Sequence, residues 1–75
     1  MKTPISVRDL ESIALREIRC FPGGEYVCYL EVDLLDADWR LRATVRDGAD
    51  LDRIQYAVRV TTSKLKHRYQ LRTDW

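Results

Sequence analysis

Two thiols and one imidazole make up the chain's stock of soft metal ligands and strong nucleophiles. Cys20 and Cys28 are separated by seven residues, and His67 is the only histidine. A zinc site needs four close donors at recognisable spacing, so this set does not form one. No serine or cysteine stands in a nucleophile signature, and there is no Gly-rich phosphate loop or two-histidine pattern. "PGG" at Pro22–Gly24 joins a helix to a strand, the reverse of the order that a phosphate cradle requires. His67 qualifies as a general base by type alone, with no nucleophile or carboxylate placed to work with it. The expectation is a chain that is not an enzyme and uses no cofactor or metal.

The other chemically loaded stretch is "KLKHRYQLR", Lys64 to Arg72. Lys64, Lys66, Arg68 and Arg72 are the candidate nucleic-acid contacts. On a helix they project in several directions, and Tyr69 falls on the core face, where it cannot stack on a base. Cations in a helix's last turns also stabilise its dipole by ~0.3–1 kcal/mol each, which is sufficient reason for their presence. Nucleic-acid binding is the alternative reading here, not the first.

Seventy-five residues make a single domain, 1–75, of 45% apolar and 33% charged composition. A core of this size supplies only about 3–5 kcal/mol without a metal, disulfide or partner subunit. No apolar run approaches the ~20 residues of a membrane span, and the first residues lack the apolar core of a signal peptide, so a cytoplasmic protein is expected. Two thiols in such a chain read as reduced core residues, with a disulfide open if Cys28 faces the end of the first helix. The net charge of +1 conceals two unlike halves. Residues 1–38 carry four basic and eight acidic side chains, and residues 39–75 carry nine and four. Such halves attract each other within a chain or between copies, and the basic half also suits an acidic partner.

The elements that position these groups follow from periodicity. Ser6, three residues before Asp9, caps a helix over about 7–20, with Val7, Leu10, Ala14, Ile18 and Phe21 on its buried stripe. Two alternating runs follow, read as strands over about 25–35 and 39–46. Pairing positions that sum to 73 sets Asp33 against Arg40, Glu31 against Arg42, Leu34 against Trp39, Val32 against Leu41 and Cys28 against Val45. Charges then meet on one face and apolar groups on the other, each pair contributing roughly 0.2–1 kcal/mol, and the turn at Asp36 and Ala37 has an even loop. Asp50 caps a long helix over about 51–72, whose core stripe is Leu51, Ile54, Val58, Thr61, Leu65 and Tyr69. The fold class is α+β, in the order α-β-β-α: an antiparallel hairpin packed against two helices.

Two features do not close within one chain. Two strands span about 10 Å while two packed helices need about 20 Å, and the hairpin edges carry unpaired backbone groups. Edge-to-edge pairing with a second copy would extend the sheet. On the long helix, Tyr56, Val60, His67 and Leu71 gather opposite the core stripe, rimmed by Arg53, Arg59, Lys64, Lys66 and Gln70. An apolar strip with a basic rim is the candidate interaction surface. The expected partners are a second copy of the chain, giving a homodimer, or another protein.

The segments "REIRCFPGGEYV", "DADW" and "LKHRYQL" resemble small bacterial proteins of α-β-β-α order. The resemblance covers nearly the whole chain and implies the same layout without carrying over an activity. There is a looser similarity to double-stranded RNA-binding domains, which run α-β-β-β-α; the third strand and the Gly- and Lys-rich helix start that grip RNA are missing here. The expected function is a non-catalytic interaction or regulatory module acting through the long helix.

Overall fold

Ser6 starts the first helix as its spacing predicts. Its Oγ accepts the Asp9 N–H at 3.2 Å, and α1 runs Val7–Arg19 with Leu10, Ala14 and Ile18 buried. The computed structural model describes residues 2–35 and 38–71 of the chain. After α1 the chain doubles back through Gly23, at φ +85°, into a 3-10 turn at Gly24–Tyr26. Gly24 lies so close to α1 that a Cβ there would sit 1.9 Å from the Ile18 carbonyl oxygen. No side chain fits that gap without moving backbone, which accounts for a glycine at the position.

β2 (Val27–Leu35) and β3 (Asp38–Val45) form the expected antiparallel hairpin. From Tyr29↔Thr44 to Leu35↔Asp38 every pair sums to 73, including Glu31↔Arg42 and Asp33↔Arg40. The loop residues Asp36 and Ala37 lie outside the described residues. At the far end the register breaks: a bulge sets Val27, not Cys28, opposite Val45. The extra residue turns Val27 into the core and Cys28 out to solvent. Cys20 is also exposed, so the expectation of two core thiols is wrong for both, and both are free.

α2 spans Leu51–Arg68 and is capped by Asp50, whose Oδ1 accepts the Arg53 N–H at 3.3 Å. Its buried line is Ile54, Ala57, Thr61 and Leu65, while Leu51, at the expected start of the stripe, is exposed. The helix stops four residues before the expected end. Tyr69–Leu71 instead extends as a short strand, β4, parallel to β1 at Thr3–Ile5, with Ile5 opposite Leu71. Among the described residues the order is therefore β-α-β-β-α-β in place of the expected α-β-β-α, with two separate two-stranded sheets. Pro4 in β1 lacks the N–H a longer ladder would need, in keeping with a strand of three residues.

Both helices pack on the hairpin face that carries Leu30, Trp39 and Leu41. α1 runs antiparallel to β2, because Glu11 near its start reaches Val32 and Arg19 at its end reaches Val27. α2 runs antiparallel to β3, with Lys66 reaching Asp38. The result measures 37 × 20 × 18 Å.

Candidate functional site

Tyr56 is the most prominent group on the outer face of α2, 55% exposed. Its ring meets the ring of Phe21 edge-on, at 6.4 Å and 78°, and the Arg59 guanidinium stands 5.9 Å from its centroid. Phe21, Pro22, Asp52, Arg53 and Tyr56 line a recess of about 440 Å³. An exposed aromatic over a shallow, mostly apolar recess with one acid and one base at its rim has the make-up of a protein contact. Phe21 and Pro22 join this surface because Gly23 folds the loop back against the first turns of α2. The helical periodicity that picked out Tyr56 contains no sign of a neighbour so distant in sequence.

The rest of the expected strip is shorter than helical spacing predicts. Val60 is half-buried and His67 is exposed, both on α2. Leu71 is not on the helix: it lies half-buried in β4 and packs on the core. Tyr56, Val60 and His67 remain as the strip.

The basic end of the helix is largely engaged with the chain itself. Lys64 Nζ lies 3.2 Å from Glu17 Oε2, and Lys66 Nζ lies 2.8 Å from Asp38 Oδ1 while standing 5.1 Å from the Trp39 ring centroid. The hydrogen bond from Lys66, aided by the Trp39 N–H, lowers the Asp38 carboxyl below its usual range. Arg68 is exposed, and Arg72 lies outside the described residues. The strand charges form the expected ladder: Arg42 to Glu31 at 3.2 Å and to Asp33 at 3.6 Å, and Arg40 to Asp33 at 3.6 Å. Among the described residues no three His, Cys, Asp or Glu side chains group as a metal site, and no helix is long and apolar enough to cross a membrane.

The two hairpin edges differ, which the sequence reading did not anticipate. Side chains of α1 occupy the outer edge of β2. Glu11 Oε2 accepts the Val32 N–H at 2.8 Å, and Arg19 donates to the carbonyls of Val27 at 3.2 Å and Cys28 at 3.3 Å. Along the edge of β3 there is instead a groove of about 400 Å³ between Leu41, Ala43 and Val45 on one side and Leu51, Ile54 and Val58 on the other. Comparison with family models, curated proteins and solved structures gives no match.

Proposed function

We propose that the chain is a small non-catalytic protein-interaction module of the cytoplasm that associates with a second copy of itself through the outer face of α2. The observation that carries this reading is Tyr56, standing over the Phe21–Pro22 recess with 55% of its surface open to solvent. Tyrosine is a frequent anchor of protein contacts because its large ring orders at low entropic cost. Asp52 and Arg53 lie side by side at the recess. A two-fold contact centred there sets the acid of each copy toward the base of the other, so one patch serves both sides.

The test is a dilution series followed by amide and methyl chemical shifts. Association through this face moves the signals of Tyr56, Val60 and Phe21 with concentration and leaves those of the hairpin in place. Shifts confined to other surfaces, or none at all, contradict it. Leu71→Asp is unsuitable as a test because Leu71 packs on the core.

Nucleic-acid binding through the basic end of α2 predicts affinity that falls steeply with salt and is lost on charge reversal at Lys64, Lys66 and Arg68. The ion pairs to Glu17 and Asp38 weigh against it, since a phosphate would have to displace them.

A further inference from the structure

The open edge of β3 and the groove beside it have a specific shape and charge. Val32 gives its N–H to Glu11, so the polar backbone groups of Val32 point away from β3. In an antiparallel ladder the residue opposite points its own groups away as well. That residue is Leu41, and Trp39 and Ala43 follow by alternation. The Trp39 N–H is taken by the Asp38 carboxylate. Among the described residues no hydrogen bond from outside the hairpin reaches Leu41 or Ala43. These are free strand-pairing groups on a buried sheet face, with room beside them.

The room has a geometric cause. Two packed helices span about 20 Å and two strands only about 10 Å, so a helix overhangs each edge. Under α1 the space is filled by Glu11 and Arg19. Under α2 the corresponding side chains are Leu51, Ile54, Gln55, Val58 and Arg59, and the space is the groove. The difference in span leaves about 5 Å on each side, the spacing of one more strand, since neighbouring strands lie about 4.8 Å apart.

We propose that the β3 edge receives an extended segment of another protein, alternating acidic and apolar residues, as a third strand beneath α2. The apolar residues of the segment enter the groove against Leu41, Ala43, Leu51 and Val58. Its acids fall on the opposite face beside Arg40 and Arg42, which are 67% and 61% exposed and, among the described residues, pair with acids of β2 alone. Each arginine then stands between two carboxylates across the sheet. A second copy fits this edge poorly. Antiparallel pairing of β3 with itself about Leu41 sets Arg40 opposite Arg42, and like charges directly opposite destabilise a ladder. A copy also brings its own α2 over the same edge. Arg59 lines this groove and also stands over the Tyr56 ring, but Tyr56, Phe21 and Pro22 do not line it, and binding at this edge does not depend on the recess.

The probe is a labelled, end-blocked octapeptide alternating Val and Glu, titrated into the full chain by fluorescence anisotropy, with an octapeptide alternating Val and Lys as control. The expected result is binding of the Glu peptide at least about tenfold tighter than the Lys peptide, with the amide hydrogens of Leu41 and Ala43 becoming protected from exchange. Ala43→Pro removes one outward N–H, at an edge position where proline is tolerated, and should abolish binding. Leu51→Glu places a carboxylate at the exposed mouth of the groove and should weaken the Glu peptide by about tenfold or more without touching the hairpin. Tyr56→Asp should bind the peptide as the wild type does. Equal affinity for the two peptides, no binding of either, or an Ala43→Pro variant that folds and binds normally overturns the proposal. A wild-type dimer that Ala43→Pro dissociates, and that the peptide does not disturb, overturns it in favour of a second copy at this edge.

Discussion

Thr61 is 1% exposed, and among the described residues its hydroxyl oxygen has no hydrogen-bonding partner. The neighbouring Thr62 behaves differently, donating to the Val58 carbonyl at 2.7 Å. Leaving a buried hydroxyl unsatisfied costs about 1–3 kcal/mol, and valine fills nearly the same volume without the polar atom. Thr61→Val should therefore raise stability by about 1 kcal/mol, seen as a higher urea midpoint at unchanged slope. The place of Thr61 on the core stripe was legible from helical spacing, whereas its lack of a partner depends on side chains that only the fold brings near. Asp38 makes a pH prediction. Its folded carboxyl titrates below 3.8 because Lys66 hydrogen-bonds it, so the contribution of this contact is present above that value and is lost as pH falls through the lowered one. Lys66→Met should return the Asp38 titration toward 3.8, read from its carboxyl carbon shift by NMR. An unchanged titration would mean that the contact does not persist in solution.

At the scale of elements, Gly24 controls how α1 meets the hairpin. Because a Cβ there would strike the Ile18 carbonyl, Gly24→Ala should cost about 1–3 kcal/mol through displaced backbone. Thermal unfolding measures this, and a neutral substitution would show that the 3-10 turn sits farther from α1. The helices and the hairpin were legible because their apolar residues recur with one period over many positions. The register was legible because Glu31 and Asp33 find Arg40 and Arg42 only in one alignment that also keeps Leu30, Val32 and Leu41 inward. The bulge was not. Residues 30–34 alternate, but Tyr26–Leu30 is an apolar run that marks neither face, and there the sheet inserts one residue and buries Val27 in place of Cys28. β1 and β4 left no signal either, since three residues are too few for a period and their pairing joins positions at opposite ends of the chain. β4 also explains why Leu71 misses the outer face of α2: the backbone becomes extended at Tyr69, and helical angles no longer apply.

For the whole molecule, the unlike charge of the two halves is partly resolved inside one chain. Glu17 meets Lys64, Asp38 meets Lys66, Glu31 meets Arg42, and Asp33 meets Arg40, each an acid from the first half with a base from the second. Exposed pairs of this kind contribute little, so stability rests mainly on the apolar core, and these charges orient the elements more than they hold them. The mismatch between strand and helix widths was visible in the sequence, but not the way each edge deals with it, because that depends on Glu11 and Arg19 reaching backbone that lies elsewhere in sequence. Self-association of this charge-compensated chain through an aromatic recess should depend little on ionic strength. The direct measurement is molar mass by sedimentation equilibrium over a wide concentration range, at low and high salt, for the wild type and Tyr56→Asp. A salt-tolerant wild-type dimer is expected, with a variant that stays monomeric while folding normally. A wild type that is monomeric throughout, or a Tyr56→Asp variant that dimerises as well as the wild type, would contradict it.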